Sequence, residues 1–186
     1  MMLRWEKLGR IFFPGDFNVR WMKDYAQAPT ALVRDDCVRV YFACRPAADA
    51  GAQFVSYLAY VDLDRNNLFK KIRVSPQPVL QLGDRGTFDE FGTNPASVVQ
   101  HDREVWMYYA GWTRCESVPF NAAIGLAISR DHGDTFTKLG KGPVLSYSVD
   151  EPFVIGSPRI RRFNNTWYLW YVAGKQWLKG DRRAHV

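Results

Sequence analysis

The sequence predicts an all-β fold of the propeller type, and three observations carry that expectation. A segment of about four strands recurs along the chain, its strands are rich in β-branched and aromatic residues, and no stretch holds an amphipathic helical pattern over three turns. Prolines mark the recurrence. The stretches "PTALVRDDCVRVYFACR" from Pro29, "PASVVQHDREVWMYYAG" from Pro95 and "PRIRRFNNTWYLWYVAG" from Pro158 each read as a short apolar strand, a polar turn and a stronger aromatic strand. These prolines stand 66 and 63 residues apart, and "PVLQL" at Pro78 and "PVLSY" at Pro143 stand 65 apart.

In chain order, "RDD", "HDR" and "FNN" are the hairpin turns that join the first two strands of each unit. "SYLAYVDLD" and "AAIGLAISRD" supply a third strand in units one and two. A β-sandwich could use the same strands, but a sheet repeated at a fixed period buries its faces against the next copy of itself, which is a propeller. We expect a single partial domain over residues 1–186, with blade 1 at about 27–92, blade 2 at about 93–155 and an incomplete blade 3 at about 156–178. Only 28 residues follow Pro158, so the third unit stops after its second strand. Two and a half blades do not close a ring. The sequence therefore predicts either the front part of a longer protein or self-association through the open blade edge, where unpaired backbone groups seek partners.

"SRDHGDTF" (Ser129 to Phe136) fits the pattern S-x-D-x-G-x-T-[FW] and resembles the Asp-box turn of sialidases and related propellers. Asp131 would accept backbone N–H bonds across the turn, Gly133 would supply a permissive backbone, and Phe136 would pack beneath. The turn speaks for fold rather than activity.

Composition narrows the function classes. Hydrophobic residues at 47% without low-complexity runs describe a folded chain. Apolar runs are too short to span a membrane, and "MMLRWEKLGRIFF" lacks the apolar core and cleavage site of a secretory signal, so the expected location is the cytoplasm. Cys37, Cys44 and Cys115, odd in number and without CxxC spacing, fit reduced thiols. His101, His132 and His185 lie singly in turns or the tail, so neither a metal nor any other cofactor is expected. The formal charge is +6, but the basic residues are dispersed, which suits a solvated surface and not a nucleic-acid groove.

"YYAGWT…NAAIGLAISRDHGDTFTKLGKGPVL" (Tyr108 to Leu145), followed by "SPRIRRFNNTWYLWYVAGKQW", resembles the five-bladed β-propeller glycosidase superfamily of arabinanase-like and invertase-like hydrolases and mannoside phosphorylases. The likeness runs over about Gln27 to Trp177 and is nearest to a glycosidase-like branch linked to bacterial surface polysaccharides. It implies that the first strand of each blade lines a central funnel and that sugar binds at its mouth. The loops that enter those strands, "WMKDYAQAP", "FDEFGTNP" and "VDEPFVIGSP", carry Asp24, Asp89 with Glu90, and Asp150 with Glu151. Glycoside cleavage needs one carboxylic acid and one carboxylate, and acids brought to one partly dry pocket could divide those roles. These five are the catalytic candidates.

The sequence departs from the superfamily at the slot before each proline, where an acid is usual. Ala28, Asn94 and Gly156 with Ser157 stand there. Asn94, Trp112, Arg159 and Trp177 are the candidate substrate contacts, because both tryptophans follow a strand-end glycine and Arg159 opens an inner strand; Arg45 holds a similar strand end in blade 1. Trp106, Trp167 and Trp170, within strands, are assigned to core packing. The leading expectation is a glycoside hydrolase-like protein acting on a bacterial oligo- or polysaccharide. Its alternatives are a non-catalytic carbohydrate-binding propeller and a glycoside phosphorylase that would use Arg45 and Arg159 for phosphate.

Overall fold

The computed structural model describes residues 3–50 and 54–178; the tail that holds His185 and the final basic run lies outside them. Among the described residues, ten strands make three antiparallel sheets. Blade 1 is β1 (Asp24–Val33), β2 (Cys37–Arg45), β3 (Tyr57–Asp64) and β4 (Lys71–Val74), in that order. Blade 2 is β5 (Gly92–His101), β6 (Glu104–Arg114), β7 (Phe120–Ser129) and β8 (Thr137–Lys138). The third sheet is the hairpin β9 (Ile155–Phe163) and β10 (Thr166–Ala173). The fold is an all-β propeller of the five-bladed type, with two and a half blades in this chain. Among the described residues, the single helical element is a 3-10 turn at Pro14–Phe17, and no helix is long and apolar enough to cross a membrane.

Each inner strand carries its proline at a break in register. The β1–β2 ladder slips between Asp24 and Gln27 and again between Gln27 and Thr30, and the β5–β6 ladder slips between Pro95 and Ser97. In the third sheet the slip falls between Trp170 and Val172, opposite Arg159 and Gly156. Proline has no N–H to give to a ladder, so a bulge is where a strand tolerates it. Ala28 and Ser157, each just before its proline, adopt the left-handed backbone region at φ 49° and 50°.

Blades 1 and 2 are joined by an apolar core of Tyr41, Leu58, Tyr60, Val98, Met107, Tyr109 and Phe136, into which the connecting residues Val79 and Leu80 insert. The opposite face of blade 1 is covered by the chain's own start, with Phe12 against Phe42 at 4.9 Å and Met22 fully buried. Cys37 and Cys44 are buried and unbridged; burial pushes their thiols up to about 11 and about 12, which leaves them inert.

A charged network fastens the blade 1–blade 2 seam. Arg39, fully buried on β2, donates to both oxygens of Asp62 at 2.7 and 2.8 Å, lies 3.8 Å over the Tyr60 ring and reaches Asp134 at 2.5 Å. Arg73 on β4 donates to the same two carboxylates at 2.8 Å each. Asp134 belongs to the Ser129–Phe136 turn. Within that turn Asp131 accepts from the Thr135 amide at 3.0 Å and the Thr135 hydroxyl, while the Gly133 amide donates to Ser129 Oγ at 2.7 Å. The Tyr41 hydroxyl donates to the Gly133 carbonyl at 2.8 Å. Gly133 sits at φ 85°, and a Cβ there would lie 2.2 Å from the Tyr41 oxygen, so a side chain would strain the backbone and force the Tyr41 hydroxyl to move.

The third sheet meets blade 2 through the Ile160 amide, which donates to Ser97 Oγ at 3.1 Å, and through His101, stacked between Trp106 and Trp167. Its outer strand is bare. Trp167 and Trp170, expected in the core, are 38% and 51% exposed, because no strand lies beyond β10 among the described residues.

Burial, the largest influence, pushes the Asp62 carboxyl up, but the hydrogen bonds from Arg39 and Arg73 outweigh it and hold the group below the usual carboxylate range. A depressed folded pKa contributes stability that is present above the ordinary value of about 4 and lost as pH falls through the folded value. Urea unfolding should therefore show stability declining below about pH 4 in the parent and less steeply in Asp62→Asn. Asp62→Ala should cost about 3–5 kcal/mol by stranding a buried guanidinium, whereas Asp134→Ala, at the half-exposed end of the network, should cost about 1 kcal/mol or less.

Candidate functional site

At the top of the inner strands, where blades 1, 2 and 3 meet, lies a cavity of about 370 Å³. Arg45 reaches it from the end of β2, Asn94 from the regular ladder of β5, Ser157 from the bulge of β9, and Trp112 and Phe120 from the facing ends of β6 and β7. Ala28, in the corresponding slot of β1, does not line it. Gly92 lets the Trp112 ring lie across β5, since a Cβ there would come within 1.7 Å of the indole nitrogen.

The chemistry of the walls is mixed. Trp112 and Phe120 offer ring faces, with Phe91 at 6.3 Å from Trp112 and Trp177 edge-on to Phe120 at 5.8 Å. The Arg45 guanidinium lies between Tyr25 and Phe54, at 4.7 and 5.1 Å from their ring centres. Arg45 Nε and Asn94 Oδ1 are buried without a protein hydrogen-bond partner, and so are Ser56 Oγ, Thr93 Oγ1 and Asn121 Oδ1. Of these five residues, Arg45 and Asn94 line the cavity and the other three do not.

The predicted site residues divide. Asn94 and Trp112 line the cavity with Arg45, and Trp177 backs its wall through Phe120. Arg159 does not line it; its guanidinium extends from β9 toward Thr30 Oγ1 on β1, at 3.5 Å. None of the five carboxylates lines it either. Asp24 opens β1 opposite Arg45, exposed and without an ion pair among the described residues. Asp89 is 1% exposed and turned into the seam between blades 1 and 2. There it meets Lys138 Nζ at 2.6 Å, the Tyr109 hydroxyl at 2.8 Å and Thr87 Oγ1 at 3.1 Å. It lines a separate cavity of about 460 Å³ with Leu80 and Phe136. Burial first, and the Asp89 charge second, hold the Tyr109 hydroxyl well above its usual range, so it stays a donor. Glu90 accepts the Gly86 amide at 2.7 Å and closes its own turn. Glu151 accepts from the Tyr171 hydroxyl at 3.0 Å and ties the entrance loop to β10, and Asp150 is exposed in that loop.

Sequence reasoning did not find Phe120. Phe120 follows a proline in "SVPFNAA", where nothing distinguishes it from a surface aromatic. Among the described residues no cluster of His, Cys, Asp and Glu could hold a metal ion.

No protein-family profile matches the chain. Two curated proteins titled as uncharacterised, from two strains of Mycobacterium tuberculosis, are each 30% identical over 186 residues, and the chain spans 60% of their length. Among solved structures, an α-L-arabinofuranosidase from Lactobacillus brevis superposes over 97% of this chain and 55% of its own, at TM-score 0.66 and 16% identity. A sucrose-6-phosphate hydrolase from Lactobacillus gasseri covers 90% of this chain and 31% of its own, at TM-score 0.64 and 14% identity. An exo-1,5-α-L-arabinanase from a bovine ruminal metagenomic library covers 91% and 54%, at TM-score 0.61 and 12% identity. The structural neighbours are thus glycoside hydrolases, and at these identities the likeness is one of fold.

Asp89→Ala should cost about 3–5 kcal/mol in chemical unfolding, because it strands the Lys138 ammonium in the seam. Glu90→Gln keeps the acceptor and should stay within about 0.5 kcal/mol of the parent.

Proposed function

We propose that this chain forms the saccharide-binding mouth of a glycoside hydrolase-type propeller, with a bacterial oligo- or polysaccharide as its ligand. The observation that carries the reading is the cavity that Trp112 and Phe120 line together with the Arg45 guanidinium and the Asn94 amide. A pyranose or furanose ring has an apolar face that stacks on an aromatic side chain and hydroxyls that satisfy buried donors and acceptors. The solved glycoside hydrolases that share the fold support the same ligand class. The three unbridged cysteines support a reducing compartment such as the cytoplasm.

Binding is the better supported half of this reading and cleavage the second. Cleavage requires two carboxyl groups flanking one glycosidic bond, about 5–10 Å apart. Asp24 favours it, since this exposed acid faces Arg45, a wall of the cavity, from the neighbouring strand. Asp150 and Glu151 stand in the loop that enters β9, next along the mouth, and either could supply the second group. Asp89 and Glu90 are held by the fold and do not enter this scheme. A phosphorylase gains less support, because Arg159 and Arg45 do not line one cavity.

Calorimetric titration of the purified chain with a panel of oligosaccharides tests the reading. Binding should weaken about tenfold or more in Asn94→Ala and in Trp112→Ala, the loss expected from one buried hydrogen bond or one stacked ring. Saccharide affinity that ignores both substitutions would place the ligand elsewhere. A reducing-sugar assay then separates cleavage from binding: Asp24→Asn should abolish release while keeping affinity if Asp24 is catalytic, and no release from the parent leaves a binding protein.

A further inference from the structure

The mouth cavity carries charge of one sign. Among the described residues that line it, Arg45 alone is charged; Asn94 and Ser157 are neutral and polar, Trp112 and Phe120 are aromatic, and the rest are small or aliphatic. A wall of this kind attracts a ligand that brings a negative charge together with apolar surface.

The cation is held in place by several neighbours. The Lys23 amide donates to the Arg45 carbonyl at 2.9 Å, and the guanidinium lies 4.7 Å from the centre of the Tyr25 ring and 5.1 Å from that of Phe54. Phe54 is fixed in turn, because Arg114 donates to its carbonyl at 2.8 Å while resting 4.2 Å over Phe91, the ring beside Trp112. Ring faces stabilise a cation without cancelling its charge. Elsewhere the fold does cancel it: Arg39 and Arg73 share Asp62 and Asp134, and Arg130 meets Glu104 at 2.9 Å. Arg45 forms no ion pair among the described residues, although Asp24 is its partner across the β1–β2 ladder.

We infer that the ligand of this cavity is an acidic saccharide, with the carboxylate of a uronic acid against Arg45 and the sugar ring against Trp112 or Phe120. This rests on the saccharide reading proposed above and adds the ligand's charge to it. A guanidinium packed against rings keeps its in-plane N–H groups for acceptors, and such an edge matches a planar carboxylate. A sugar phosphate fits less well. It carries a charge of about −1.5 to −2 at neutral pH, and the cavity offers one cation, since Arg114 and Arg159 do not line it. The formal charge of +6 attracts acidic glycans in general, whereas Arg45 beside Trp112 selects one at the mouth.

Calorimetric titration of the 186-residue chain with matched probes is the test: trisaccharides of glucuronic and galacturonic acid, their methyl esters and the neutral hexose counterparts. The acids should bind about tenfold or more tighter than the esters and the neutral sugars at low salt. Arg45→Gln should bring that ratio below about threefold, and Lys141→Gln, which removes an exposed cation at the other cavity, should leave it unchanged. Circular dichroism establishes that Arg45→Gln is folded, and the comparison of acid with ester needs no variant. Equal affinity for all three classes, still weakened by Asn94→Ala and Trp112→Ala, overturns the acidic ligand and leaves the saccharide reading standing. A preference for acid that Arg45→Gln does not alter overturns it too, as does a hexose phosphate that binds tighter than the uronates. Failure of every probe to bind overturns the acidic ligand and the saccharide reading together.

Discussion

Everything at the mouth of this protein rests on how blade 2 sits against blade 1, and a single buried guanidinium governs that. Arg39 is held on three sides, by Asp62 of its own blade, by the Tyr60 ring and by Asp134 of the next. The two carboxylates and Arg73 compensate its desolvation, and Asp134 ties the compensation to one relative position of the blades. Apolar packing of Tyr41, Tyr109 and Phe136 supplies adhesion without direction; the charge network and the Tyr41 bond to Gly133 supply the register. At the other end of the seam, the Ser56 amide donates to the Phe91 carbonyl and the Thr93 amide to that of Ser56. Between these two fastenings Arg45 of blade 1 is delivered to a cavity whose other walls belong to blades 2 and 3.

Fold and site were not equally legible in the sequence. The prolines at 29, 95 and 158 announced the strand entrances because proline constrains the backbone wherever it stands, and each lies at a bulge. Asp131 and Gly133 were readable for the same reason, since their roles are local to one turn. Asp134 was not, because its partner Arg39 is 95 positions away and only the packing of blades brings them together. Asp89 illustrates the converse. Its place in an entrance loop suggested the funnel, but Tyr109 and Lys138, also distant in sequence, draw it into the seam. Trp167 and Trp170 carry a core-like pattern because the pattern belongs to a whole blade, and among the described residues this sheet has two strands.

The distribution of charge at the mouth is uneven. The cavity wall holds a guanidinium, an amide and two aromatic rings, while none of the five entrance-loop carboxylates lines it. Asp89 is drawn off by Lys138 and Tyr109, and Glu90 and Glu151 are occupied by bonds within their own loops or to the adjacent strand.

The register break at each inner-strand proline has a consequence for how such a protein changes over time. Ala28 and Ser157, just before their prolines, are held in the left-handed backbone region, which few side chains adopt readily, whereas Asn94 lies in the regular ladder of β5 and lines the cavity. Variation is therefore cheap at position 94 and costly at 28 and 157, so blades built on one plan do not drift at one rate.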